Sequence, residues 1–335
     1  MRRSLTLLII LFAFVLAQKP KHEIKFAALA PKGSTWMNLL EELDVALREA
    51  SDGELGFTIY AGGVAGDELK VLRKMRIGQL HAAGLTGVGL GQIVPEERIL
   101  DTPFLFRDSA EVDYVLARIS PDLEQRFLTK GYVLLGWAEV GFVYLYSNTP
   151  VNQYSDLKNL NMWVWESDPV AKEAFSTLDL KPIPLSFTDV VTSLQSGIIN
   201  AVYTSPLAAV SLQWYTRVDF MLDVPIANAM GAVIIDARTF KKLPPAYQDL
   251  LQREAAKYLG KITAASRLDN AKSLTVMEKN GVQIIREKDA EDLQLYREAG
   301  AQARQNLAGE YYSAELLARV EALLAEYRQK SSEDQ

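Results

Sequence analysis

The sequence predicts an α/β protein of two units, and three observations carry that prediction. Strand-like and helix-like segments alternate along 23–87 and again along 160–206; a β-rich apolar stretch, "YVLLGWAEVGFVYLYS" (132–147), lies between them; and one helical pattern runs from 245 to 280. With 335 residues, 49% hydrophobic and 23% charged, the chain has apolar content enough for two domains rather than one.

Each element follows from its own pattern. "EIKFAALA" (23–30) reads as a buried strand. "PKGSTWMNLLEELDVALREASDG" (31–53) opens with Pro, Gly, Ser and Thr, repeats Leu39, Leu40, Leu43 and Leu47 at helical spacing, and stops at Gly53. "GFTIYAGG" (56–63) is a second strand, "GDELKVLRKMRIGQ" (66–79) a second helix and "LHAAGLTG" (80–87) a third strand. Such a βαβαβ run predicts a mostly parallel sheet with helices on both faces. The stretch 132–147, broken by Gly136 and Gly141, reads as two strands or as one strand passing between domains. A second α/β unit follows: strand "LNMWVW" (160–165), helix "SDPVAKEAFSTLD" (167–179), a helix from near Thr188 in "LSFTDVVTSLQSG" (185–197), and strand "INAVYTSP" (199–206). From Pro245 to Asn280, Tyr247, Leu250, Leu251, Leu259, Ile262, Leu268, Leu274 and Met277 keep a helical period. Unbroken, that helix is roughly 50 Å long and runs across both domains; two helices kinked near Gly260 are the alternative. The segments 290–309 and 313–329 are two further amphipathic helices.

The N-terminus, "MRRSLTLLIILFAFVLAQ", places Arg2 and Arg3 before an apolar run from Leu5 to Ala17, shorter than the ~20 residues of a membrane span. Val15 and Ala17 stand at −3 and −1 of a cut before Gln18, so residues 1–17 read as a cleavable export signal, an uncleaved anchor being the alternative. Cleavage removes two positive charges and takes the formal charge from −6 to −8. The absence of cysteine excludes disulfides, thiol chemistry and a lipid-modified N-terminal cysteine, and with the signal it points to a bacterial periplasm. Acidic balance without a basic run argues against nucleic acid as a partner.

Catalytic chemistry finds little support. His22 and His81 are the only histidines, His22 lies at the mature N-terminus, and His81 reads as a satisfied residue beside its strand. No metal site and no cofactor are expected. "AGGVAGDE" (61–68) lacks the Gly-Lys-Ser/Thr ending of a phosphate loop, and "GVGLGQ" (87–92) fails the dinucleotide spacing because position 94 is Val. Both read as tight turns or as close approaches of backbone to a ligand or helix. Glu139, Glu166 and Asp168 lie near aromatic residues, which keeps open a glycan-acting hydrolase using paired carboxylates.

Several stretches taken in order carry a family likeness: "AGGVAGDELKVLRKMRIGQLHAA", Pro103-Phe104-Leu105-Phe106, "SDLKNLNMWVWESDP", "DVVTSLQSGIINAVYTSP" and "FKKLPPAYQDLLQREA". Together they resemble the substrate-binding proteins of TRAP transporters, the DctP-type periplasmic receptors, over nearly the whole mature chain. The resemblance implies a two-lobe periplasmic binding protein with hinge-crossing strands and a long helix straddling both lobes, which close over one ligand without catalysis. It places lobe I at 23–137 plus about 222–258 and lobe II at 138–221 plus about 262–330. It implies as partners a small-molecule ligand and the small and large membrane subunits of the transporter; a further alternative is an interaction protein whose closed lobes serve a helical-repeat accessory protein, as in some relatives.

The departures from the family pattern bear on the ligand. Where most relatives hold a carboxylate with an arginine, this chain has Trp163; "GFVYLYS" (141–147) has no second arginine; and Val202 replaces the usual acidic or amide residue. Strand alternation puts the Trp163 and Trp165 indoles on one side and Met162 and Val164 on the other. A buried indole removes ~150–250 Å² from water and keeps one N–H for orientation, so the ligand is expected to be more apolar than the family's organic acids. Two packing expectations compete with it: both indoles pack beneath a helix, or Trp165 packs there while Trp163 lines the site. The further ligand candidates are Thr35 and Trp36 at the start of the first helix, Thr86 and Gly87 at the end of the third strand, Trp137 and Glu139 in the crossing segment, Glu166, Phe187, Tyr203 and Ser205. Trp214 is expected in the core or on a lobe surface.

Overall fold

The computed structural model describes residues 19–286 and 289–333, so the expected export signal, 1–17, lies outside the described residues. In chain order the elements are β1 (His22–Ala27), α1 (Thr35–Ala50), β2 (Leu55–Tyr60), α2 (Glu68–Arg76), β3 (Ala82–Thr86), α3 (Gly87–Gly91), α4 (Ser109–Thr129), β4 (Tyr132–Trp137), β5 (Gly141–Ser147), β6 (Trp163–Trp165), α5 (Pro169–Thr177), β7 (Ile183–Leu185), α6 (Val190–Ser196), β8 (Ala201–Thr204), α7 (Pro206–Ser211), β9 (Phe220–Ala229), β10 (Gly231–Asp236), α8 (Ala237–Lys242), α9 (Pro245–Lys279), β11 (Gln283–Ile285), α10 (Ala290–Leu307) and α11 (Ala314–Glu333). Short 3₁₀ turns at Pro95–Asp101, Tyr154–Asn159, Phe187–Asp189 and Trp214–Arg217 join some of them.

The chain divides into two compact units. The first holds the residues up to Leu85, Gly131–Ala138 and Ala232–Ala265; the second holds Thr86–Lys130, Glu139–Gly231 and the chain from Ser266. The expected division differs in one large segment, because Thr86–Lys130 packs with the second unit: α4 lies against α11, and α3 and the Pro95–Asp101 turn lie against β9 or each other. Residues 222–231, which include most of β9 and are expected in the first lobe, also belong to the second unit, β9 through its ladder with β5. Helical periodicity marks where an apolar face is, not which sheet it meets.

In the first unit the sheet order is β2-β1-β3-β10-β4. β1 pairs in parallel with β2 and β3, as the βαβαβ pattern predicts, but β10 and β4 pair antiparallel, so the sheet is mixed rather than mostly parallel. Leu40, Leu43 and Leu47 of α1 pack on Ile24, Phe26, Leu55 and Val233. Ser34 caps α1 by accepting from the Met37 amide. The "AGGVAGDE" segment is a turn: Gly62, Gly63 and Gly66 have φ of +67°, +74° and +101°, and Gly62 N–H donates to the Ala30 carbonyl. His81 lies in hydrogen-bond contact with the Lys25 amide and the Glu23 carbonyl, so it is satisfied beside its strand.

The second unit has a four-stranded sheet, β11-β9-β5-β8, and the parallel pair β6-β7. Met162, Val164, Phe175, Leu145 and Leu222 are among its core. The stretch 132–147 therefore forms two strands in two different sheets. Its glycines are required by α9, which is one unbroken helix through Gly260: a Cβ at Gly136 would stand 2.9 Å from Leu259 Cδ1, and one at Gly141 2.4 Å from Asn270 Nδ2. Among the described residues no helix is long and apolar enough to cross a membrane.

Candidate functional site

β6 is only three residues long, yet its alternation sorts the side chains as expected. Met162 and Val164 enter the core of the second unit, while the Trp163 and Trp165 rings stack on the other side, 6.3 Å apart at 29°. Trp163 also stacks on Tyr203 at 5.1 Å and meets Trp214 edge-on at 5.3 Å. Phe187 lies against Trp165 at 5.2 Å and against Trp214 at 5.6 Å. The two indoles thus look into an aromatic cluster assembled from β6, β8 and two 3₁₀ turns far apart in sequence.

The two indoles differ in what their N–H groups do. Trp163 is 2% exposed and its Nε1–H donates to the Leu185 carbonyl at 3.2 Å. The orienting donor expected of Trp163 is therefore already engaged by the neighbouring strand β7. Trp165 is 6% exposed, and its buried Nε1 has no hydrogen-bond partner among the described residues.

A buried ionic network adjoins the cluster. Asp168, the N-cap of α5, accepts from Arg98 Nη2 at 2.7 Å, from the Ala171 amide at 3.1 Å and from the Tyr203 hydroxyl at 3.2 Å. Tyr203 Oη in turn accepts from the Trp165 amide at 3.5 Å. Arg98 Nη1 lies 3.2 Å from Asp101, whose other oxygen accepts from the Met230 amide at 2.7 Å. Burial pushes the Asp101 carboxyl up to about 6, against the pull of Arg98 and the Met230 N–H. Burial, with the Asp168 charge behind it, holds the Tyr203 hydroxyl well above its ordinary value, so it is a neutral donor.

"GVGLGQ" serves this network. A Cβ at Gly87 would stand 1.6 Å from Asp101 Oδ2, and one at Gly91 2.6 Å from Arg98 Cδ. The glycines let α3 approach the Arg98–Asp101 side chains, a backbone-to-neighbour approach of the kind the sequence allows. Arg98 and Asp101 were not legible as site residues; their i,i+3 spacing opposite two glycines four apart is the signal that was present.

The remaining candidates stand elsewhere in the fold, each in its own local setting. In the first unit Thr35 is the first residue of α1, the half-buried Trp36 ring packs on Gly84, where a Cβ would stand 2.4 Å from it, and Trp137 ends β4 opposite Ala232. In the second unit Thr86 caps α3, accepting from the Val88 amide, and Ser205, fully buried, caps α7, accepting from Ala208. Glu166 is exposed. Glu139 is buried and bonded to Arg267 at 2.8 Å; Arg267 also grips Asp113, and burial raises the Glu139 carboxyl above its usual range. Two of the three carboxylates considered for a hydrolase, Glu139 and Asp168, are thus paired with buried or half-buried guanidinium groups. Among the described residues no group of three or more His, Cys, Asp or Glu could hold a metal ion.

Residues 26–310 match the model of the bacterial extracellular solute-binding proteins, family 7, the DctP family. The chain belongs to that family. Among its relatives, the 2,3-diketo-L-gulonate-binding periplasmic protein YiaO of Escherichia coli is 28% identical over 72% of this chain and 74% of its own. The C4-dicarboxylate-binding periplasmic protein DctP of Rhodobacter capsulatus is 24% identical over 82% of this chain and 83% of its own. The TRAP periplasmic solute-binding protein of Pseudomonas putida F1, solved with bound D-glucuronate, superimposes with a TM-score of 0.82 at 23% identity, covering 90% of this chain and 97% of that one. The DctP-family chain therefore has the two-lobe α/β fold of TRAP periplasmic receptors, and it is a solute-binding receptor for small molecules rather than an enzyme. This overturns the paired-carboxylate hydrolase reading.

Proposed function

We propose that this DctP-family receptor, exported to the periplasm, takes a solute more apolar than an organic acid on the aromatic face formed by Trp163, Trp165, Phe187, Tyr203 and Trp214, and delivers it to the small and large membrane subunits of a TRAP transporter. One observation carries the reading: where the resemblance puts a carboxylate-binding arginine, a five-ring cluster stands instead, one of its indoles buried with an unspent N–H. Aromatic walls with a few placed polar groups are the composition of sites for apolar small molecules. The relatives named above bind a keto-sugar acid, a dicarboxylate and a hexuronate, so the reading separates this receptor from them in ligand class and not in fold.

The test is mass spectrometry of the small molecule released on denaturing the exported, purified receptor. An apolar or weakly polar compound is the expected result. A dicarboxylate or a sugar acid would refute the ligand class and return Trp163 to a packing role.

A further inference from the structure

We infer that the aromatic face admits an uncharged or cationic ligand in preference to a carboxylate, and that Trp165 Nε1–H is the donor that reads the ligand's acceptor atom. The inference rests on the proposed aromatic site and adds to it a charge class and a specificity residue.

Arg98 is the buried cation beside the aromatic face. Its Nη1 and Nη2 groups face Asp101 at 3.2 Å and Asp168 at 2.7 Å, and its side chain is 5% exposed. One buried cation thus serves two buried carboxylates. A ligand carboxylate reaching Arg98 would have to displace Asp168, which would lose its Arg98 and Tyr203 hydrogen bonds together and weaken the cap of α5. Arg217, on the turn that carries Trp214, is exposed, so its charge is screened by solvent. The nearest charge balance that a ligand on the Trp165–Tyr203 side meets is therefore negative. In general, one unit charge ~10 Å from a ligand charge, at an effective dielectric near 20, changes affinity by roughly tenfold.

Trp165 holds the one indole N–H of the pair that no described residue accepts. A buried N–H without a partner is an exception that a native protein resolves with water or ligand. Trp163 cannot offer its own, which Leu185 accepts. Trp165 keeps its ring fixed between Trp163 and Phe187 and its backbone amide on Tyr203, so the indole N–H is held by rigid neighbours.

An isosteric pair of probes tests both parts: phenylacetamide and phenylacetate, titrated by calorimetry into the full receptor and into the Trp165→Phe and Trp165→Ala variants, with circular dichroism confirming that each variant folds. The amide is expected to bind the wild type at least about tenfold more tightly than the acid. Trp165→Phe, which removes the N–H and keeps an aromatic ring, is expected to weaken the amide roughly fivefold, and Trp165→Ala to weaken it further. Equal affinities, or the acid bound more tightly, would overturn the charge class. An unchanged amide affinity in Trp165→Phe beside a loss in Trp165→Ala would overturn the donor role alone. Binding of neither probe, or no effect of either variant, would count against the aromatic site itself and carry this inference down with it.

Discussion

Replacing Gly87 by alanine puts the Arg98 network under the most direct strain the fold offers. The new Cβ would lie 1.6 Å from Asp101 Oδ2 and 2.7 Å from its Cγ, so the carboxyl must leave. It is not free to do so: one oxygen accepts from the Met230 amide at 2.7 Å and the other faces Arg98 at 3.2 Å. Moving it strands a buried N–H, at about 1–3 kcal/mol, and breaks one arm of a buried ion pair, where full loss of a partner costs about 3–5 kcal/mol. Roughly 4 kcal/mol is the expected sum. In a unit of about 200 residues that lowers the melting temperature by on the order of 10 °C. Differential scanning calorimetry reads it as a downward shift of the second unit's transition. Gly260→Ala is the matched control, because nothing lies within 4 Å of its Cβ in the middle of α9, and alanine there stabilises by up to about 1 kcal/mol. A Gly87→Ala shift smaller than about 2 °C would mean that Asp101 is not held as described.

Other outcomes follow from the same charges. Asp101 moves from 3.8 to about 6 on folding, so the folded protein keeps a proton that the unfolded chain has lost; the resulting stabilisation is present below the unfolded value and is lost as pH rises through 6. Urea midpoints of the wild type should fall by the equivalent of roughly 2 kcal/mol between pH 4 and 7 relative to Asp101→Asn, and parallel profiles would contradict this. Arg267→Met leaves Glu139 buried without its cation and should cost about 3–5 kcal/mol by chemical denaturation, most of it recovered in Arg267→Met/Glu139→Gln. His81, lowered chiefly by burial, should titrate below 6.5 in proton NMR, and its contribution to stability is lost as pH falls beneath the unfolded value.

Local pattern determined much of this receptor. The βαβαβ run of 23–87, the helices at 35–50 and 68–76, the division of 132–147 into two strands and the helical run of α9 all follow from periodicity and turn chemistry, which act over a few residues, although the strands part at 138–140 and β4 runs on through Gly136. So does the split of β6 into a core face, Met162 and Val164, and an aromatic face, Trp163 and Trp165, because alternation belongs to the strand itself. The tertiary structure decided the rest. Thr86–Lys130 packs in the second unit and β4 and β10 pair antiparallel, since an apolar stripe does not encode its partner. Phe187, Tyr203 and Trp214 meet the two indoles across tens of residues of sequence. Arg98 finds Asp168 seventy positions away. Whether an indole N–H is spent, as in Trp163, or left over, as in Trp165, depends on one carbonyl of a neighbouring strand, and no spacing rule in a single chain fixes that.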